Sequence, residues 1–184
     1  MGPDDTLVFF FSGHGGRVPR MGAAEMADID GMDETLALRD DSITDNEFDA
    51  LLDNIPAARA LIILDSCYSG GFAKDVISAP GRMGLFSSEE DVVSLVAAKF
   101  RAGGYLAHFF REALESRAAD SNSDAQIDAF ELSQFLRTSY RLEQQSKSSI
   151  SGYDSIDDIS DVTYQHLVVD RSGVSPFEVF FALD

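Results

Sequence analysis

Cysteine is nearly absent: Cys67 is the one thiol in 184 residues. An internal disulfide framework is therefore excluded, and a lone thiol fits a reducing compartment. Positive charge is scarce as well. Fourteen Lys and Arg face 32 Asp and Glu, for a formal net charge of -18. Such a surface repels nucleic acid and anionic membrane and suits cations, whether Ca²⁺ or basic peptides; solubility alone also accounts for it. No apolar run approaches the length of a membrane span. The start, Met1-Gly2-Pro3-Asp4-Asp5, lacks the basic residues and cleavage site of a secretory leader. These absences predict a cytoplasmic protein with no nucleic-acid partner and no membrane association.

What is present suits one domain with a real core. Hydrophobic residues make up 45% of the chain, enough for residues 1–184 to fold as a single unit. Thr6 to Phe11 and Arg59 to Leu64 are continuous apolar runs of strand length. Continuous rather than alternating runs predict strands buried on both faces, as in a mainly parallel α/β sheet. Between them lies an acidic stretch, Ala27 to Asp41, read as a loop. Thr44-Asp45-Asn46-Glu47 is a capping box that opens a short helix, with Phe48, Leu51 and Leu52 on its inner face. Strand, loop, helix and strand make a βαβ crossover. Further on, Arg82–Ser88, His166–Asp170 and Phe177–Leu183 read as strands, the last two joined by a turn at Arg171-Ser172-Gly173. Tyr105–Ser116 and Phe130–Tyr140 carry apolar residues at helical spacing, and Gln144–Asp161 reads as a polar loop. His108 and His166 read as packing or surface residues.

Chemistry concentrates where the two apolar runs end. The first runs into Ser12-Gly13-His14-Gly15-Gly16, the second into Asp65-Ser66-Cys67-Tyr68-Ser69-Gly70-Gly71. Open α/β sheets build their sites past the carboxyl ends of parallel strands. An imidazole beside a thiol can take its proton and later protonate a leaving amine. Flanking glycines let a substrate approach and leave amide N–H groups for an oxyanion. Either residue alone reads as ordinary packing; together they read as a His14–Cys67 dyad. Asp65, two residues before the thiol, emerges near the same strand end. Taken alone it reads as a structural Asp bonding the turn's amides.

These motifs resemble the caspase-like peptidases, most closely the metacaspases and their bacterial relatives, the orthocaspases. Phe9 to Gly15 is similar to the family's histidine motif, and Asp65 to Gly70 to its cysteine motif, with Tyr68 where His is frequent. Asp30-Gly31-Met32-Asp33-Glu34-Thr35, followed by Asp40, resembles the acidic segment between them; the likeness spans roughly residues 4 to 140. It implies a cysteine endopeptidase with His14 as general base and acid, Cys67 as nucleophile, and the N–H groups of Gly15 and Cys67 as oxyanion hole. It implies Asp65 at the floor of an S1 pocket for Arg or Lys, hence protein or peptide substrates with a basic P1. No cofactor is needed for the chemistry. In the family two strands and two helices precede the histidine strand, which here begins at residue 6, so the N-terminal part of the fold is expected to be absent.

Two candidate calcium sites follow. Asp120 to Glu131 fits the twelve-residue EF-hand loop. Asp120, Asn122, Asp124, Asp128 and Glu131 supply side-chain oxygens and Gln126 a carbonyl, but Ala125 stands where Gly is normal. The plainer reading is a solvated acidic turn whose Asp128 caps the next helix. The second site comes from the resemblance alone: Asp33, Asp45 and Asp75 match the positions of an activating Ca²⁺ site, with Asn46 where a further Asp often lies. Two other functions stay open: a catalytically impaired caspase-like interaction or regulatory module, and a Ca²⁺-binding protein built on the EF-hand-like loop.

Overall fold

The computed structural model describes residues 2, 5–20, 31–94, 103–148 and 165–183. The elements run β1 (Thr6–Ser12), β2 (Gly15–Pro19), β3 (Met32–Ala37), β4 (Ser42–Thr44), α1 (Asp45–Asp53) and β5 (Arg59–Asp65). After a 3-10 turn at Ser69–Phe72 come α2 (Ala73–Val76), β6 (Arg82–Phe86) and α3 (Tyr105–Glu115). The chain continues with β7 (Gln126–Asp128), α4 (Ala129–Ser148), β8 (Val168–Asp170) and β9 (Val179–Ala182).

The central sheet has the order β1-β5-β6-β8. β1, β5 and β6 are parallel, and β8 closes the far edge antiparallel to β6. The fold is thus α/β with a mainly parallel sheet flanked by helices, as the apolar runs predict. β5 is central and buried, and its side chains alternate between two cores. Leu61 and Ile63 pack with Leu106, Phe109, Leu132 and Leu136 of α3 and α4. Ala60, Ile62 and Leu64 pack with Phe48, Leu52, Phe72 and Val76 around α1 and α2. Arg82 ties the second layer to the sheet, donating to Asp49 and Asp53 of α1 at 2.5 Å each.

Several expectations are corrected. β1 is not buried on both faces: it pairs with β5 along one edge, and Val8 and Phe10 stay 43% and 46% exposed. The stretch from Ala27 to Asp41 is not all loop, since β3 lies within it and forms an antiparallel sheet with β2 and β4. Its acids hid the strand: Glu34 lies in the middle of β3 and is fully buried, a placement that an acidic composition does not announce. Leu51 points outward at 57% exposure, while Phe48 and Leu52 are buried. Residues 144–148 continue α4, and 149–161 lie outside the described residues. The strand expected over Phe177–Leu183 is β9, which pairs with β7, whereas β8 pairs with β6.

The capping box forms as read: the Glu47 amide donates to Thr44 Oγ1 at 3.2 Å and the Thr44 amide to Glu47 Oε2 at 3.1 Å. Thr44→Ala removes a partner of an otherwise orphaned helix amide and should destabilise the protein by about 1 kcal/mol in urea unfolding. Thr44→Ser should restore most of it; equal stability of all three chains would show that the cap contributes nothing.

Candidate active site

β1 and β5 pair in register from Thr6↔Arg59 to Ser12↔Asp65. The two strands therefore end level, and the chain turns away from both at one place. Gly13 N donates to the Asp65 carbonyl at 3.2 Å, extending the pairing one step past the strand. His14 and Cys67 each follow two residues after the last pair. Any Cβ on Gly15 would collide with the Cys67 carbonyl oxygen, so the two backbones touch and only glycine fits there. His14 is exposed, and its carbonyl accepts from Ala37 N at 2.9 Å, which anchors the histidine loop to β3.

Cys67 is partly buried, and Tyr68 after it sits in the left-handed region at φ 60°. That conformation is costly for a non-glycine residue and turns the chain sharply after the thiol. The guanidinium of Arg17 lies 4.6 Å from the Tyr68 ring centroid, and Tyr68 N donates to the Val92 carbonyl at 3.0 Å. The thiol itself meets Ser94: the Ser94 amide donates to Sγ at 3.3 Å and Sγ–H donates to the Ser94 carbonyl at 3.6 Å. The Ser94 hydroxyl lies 2.8 Å from Ser87 Oγ and 3.5 Å from Asp65 Oδ1, and accepts from Gln165 Nε2 at 3.0 Å. Sequence reading missed Ser94, because a lone serine far from both motifs carries no signal.

Asp65 is 3% exposed. One oxygen accepts the Ala107 amide at 2.8 Å, so the side chain caps α3 from outside that helix. The helix starts after Gly104, which has no side chain to cap with. Burial pushes the Asp65 carboxyl upward, and the Ala107 amide opposes that shift. Asp65 therefore has a structural partner, though a helix amide rather than an amide of its own turn. Its other oxygen faces the Ser94 hydroxyl.

A second pair of acids lies beneath the cysteine turn. Glu34 and Asp45 are both fully buried, and a Cβ on Gly71 would collide with the Glu34 carboxyl. Desolvation, and then the charge of Asp45, push Glu34 up to about 8. Desolvation, with help from Asp75 and Asp33, raises Asp45 to about 6, although the Asn46 and Glu34 amides donate to it. Asp33, Asp45 and Asp75 do gather at the start of α1. A guanidinium lies among them: Arg20 Nε is 2.5 Å from Asp33 Oδ1, and Arg20 Nη2 is 3.9 Å from Asp75 Oδ2. A Ca²⁺ ion takes six to eight oxygens around one point, and an arginine side chain on the carboxylates does not fit that arrangement.

The EF-hand-like loop is compact. Oxygens of Asp120, Asp124 and Glu131 lie within 4.8 Å of one another. Asp120 accepts the amides of Asp124 and Ala125, and Glu131 accepts those of Ser121 and Asn122. Ala125 has φ 62°, the conformation for which Gly is normal at this position. Asp128 also caps α4, accepting the Glu131 amide at 2.8 Å. Elsewhere His108 is mostly buried in α3, and His166 Nδ1 is 3.2 Å from Glu89.

Residues 1–75 match the family model of the metacaspase, peptidase C14 domain. Metacaspase-4 of Arabidopsis thaliana is 36% identical over 118 residues, covering 61% of this chain and 27% of that protein. Metacaspase-8 of the same plant is 39% identical over 74 residues, covering 39% of this chain and 19% of that protein. Metacaspase-1 of Schizosaccharomyces pombe is 36% identical over 75 residues, covering 38% and 17%. The chain thus spans about a quarter or less of the length of these relatives. A crystal structure of a protein from Geobacter sulfurreducens superposes with a TM-score of 0.52 at 17% identity, covering 75% of this chain and 62% of that one. That likeness concerns the fold alone.

The buried acids give a pH signature. Glu34 holds its proton up to about pH 8 in the folded chain, against an ordinary value of 4.5. Between those values the unfolded chain has already lost the proton, so rising pH favours unfolding, and the effect levels off above the folded value. Urea midpoints at pH 5 and pH 8 should differ more for the native chain than for Glu34→Gln. Identical differences in the two proteins would exclude a protonated Glu34.

Proposed function

We propose that this caspase-like, metacaspase-type protein is a cysteine endopeptidase that cleaves after Arg or Lys, with His14 and Cys67 as its dyad. The observation that carries the reading is the level ending of β1 and β5, with the Gly15 backbone packed on that of Cys67. In this reading His14 takes the thiol proton, and the thiolate attacks the scissile carbonyl. The Gly15 and Cys67 amides receive the developing oxyanion. His14 then gives its proton to the leaving amine, and water, activated by the same imidazole, releases the acyl group. A substrate must first displace Ser94, whose main chain holds the thiol.

Asp65 is the proposed S1 carboxylate. Its burial supports this, since a desolvated carboxylate favours a cationic partner and rejects an acidic one. A P1 guanidinium or ammonium would approach the oxygen that faces Ser94, while the other oxygen stays on the Ala107 amide. Calcium modulation is assigned to the EF-hand-like loop at Asp120–Glu131, where the convergence of Asp120, Asp124 and Glu131 supports it. Among the described residues no helix is long and apolar enough to cross a membrane.

Cys67→Ala and His14→Ala should each lower kcat/KM on an Arg-P1 peptide by about 10³-fold or more, with the melting temperature unchanged. A loss of only about tenfold in either would exclude the dyad. Asp65→Asn should cost about 10²-fold on Arg substrates. A peptide-library profile favouring Asp at P1 would remove the S1 assignment.

For the loop, Ala125→Gly relieves the left-handed alanine and should tighten Ca²⁺ binding in a calorimetric titration. Glu131→Gln should weaken it by removing the bidentate ligand. Titrations that neither change alters would make the loop an ordinary solvated turn.

A further inference from the structure

Arg20 is one of only fourteen basic residues in the chain, and it is 8% exposed. It stands just past the end of β2, where its amide donates to the Gly31 carbonyl at 2.9 Å across the β2–β3 hairpin. Its side chain leaves the hairpin toward α1 and α2. Nε bonds Asp33 on β3 at 2.5 Å, and Nη2 lies 3.9 Å from Asp75 on α2. Asp33 Oδ1 also accepts Asn46 Nδ2 of α1 at 3.0 Å, and the buried Asp45 beside it accepts the Asn46 amide at 2.8 Å. One guanidinium thus joins an acid of the hairpin to an acid of α2, and Asn46 ties the same Asp33 to α1, where the buried Asp45 feels the charges of both Asp33 and Asp75. Buried carboxylates crowded together need a counter-charge, and a planar, permanently charged group with five donors supplies it to more than one carboxylate at once.

We infer that Arg20 is the resident counter-ion of this cluster, occupying the place among Asp33, Asp45 and Asp75 that a divalent cation would need. The hairpin, α1 and α2 are held together by an internal cation, so their assembly does not depend on Ca²⁺. The clamp also bears on the candidate active site, because β2 begins at Gly15, directly after His14. Arg20 is a positioning residue in this role, and removing it converts a closed ion pair into an acidic cavity with unbalanced charge.

The test uses the full chain carrying Asp120→Asn and Glu131→Gln (hereafter the Glu131→Gln chain), which removes two of the three converging carboxylates of the EF-hand-like loop. In that background, melting in EDTA and in millimolar CaCl₂ should coincide, and calorimetry should show no Ca²⁺ uptake. Adding Arg20→Ala should lower the melting temperature in EDTA by roughly 5 °C or more. CaCl₂ should restore much of that loss, with one ion bound, and Asp75→Asn should abolish the binding. Arg20→Lys keeps a cation in place and should stay insensitive to Ca²⁺. Should Arg20→Ala fail to fold in EDTA, recovery of a folded chain on adding CaCl₂ reads the same effect, and failure to recover counts against it. Two results would overturn the inference: Ca²⁺ binding in the Glu131→Gln chain that Asp33→Asn or Asp45→Asn removes, or a folded Arg20→Ala chain that gains no Ca²⁺ binding.

Discussion

The in-register parallel pairing of β1 with β5 is the constraint on which the rest of the structure depends. Seven consecutive pairs hold the strands level, so that the histidine and cysteine motifs leave the sheet at one point. A register slip would turn one strand's side chains to the opposite faces and separate the motifs along the sheet. The central strand prevents it, because its side chains are already divided between two cores. The contact between Gly15 and Cys67 fixes the remaining distance at backbone level, where side-chain motion cannot loosen it.

Charge is the second organising factor. A chain of net charge -18 still buries Glu34, Asp45 and Asp65 around the cysteine turn. Each is handled differently. Glu34 is held protonated by desolvation, Asp45 takes backbone amides and a raised affinity for its proton, and Asp65 caps a helix that has no cap of its own. Arg20 places scarce positive charge where acids of β3 and α2 meet, and Arg82 of β6 pairs with two acids of α1. Ser94 links the thiol to Asp65, so the proposed nucleophile and the proposed S1 acid share one neighbour that a substrate would displace.

Much of this was legible in the sequence for physical reasons. The run at Ala60–Leu64 is apolar throughout because both faces of β5 are covered, and Thr44 and Glu47 announce a helix start by local chemistry alone. The paired motifs were legible because glycines beside His14 and Cys67 mark places where backbones meet. Other features were hidden because they arise from partners distant in sequence. Nothing near Asp65 indicates that it caps a helix at Ala107, and nothing near Arg20 points to Asp75. The edge position of β1 was hidden too, since Val8 and Phe10 look like core residues until the neighbours of the strand are known. β2 and β3 escaped notice because Gly, Arg and acids are poor strand signals, and the burial of Glu34 in β3 depends on partners distant in sequence.

Covalent labelling of the intact chain tests the proposed dyad most directly. A peptidyl chloromethyl ketone with Arg at P1 should form one adduct, and mass spectrometry should locate it on Cys67. The corresponding Asp reagent should leave the thiol free, and His14→Ala should lose the Arg-directed adduct while remaining folded. Equal labelling by both reagents, or labelling that survives the loss of His14, would contradict a His14-activated nucleophile beside a pocket for basic residues.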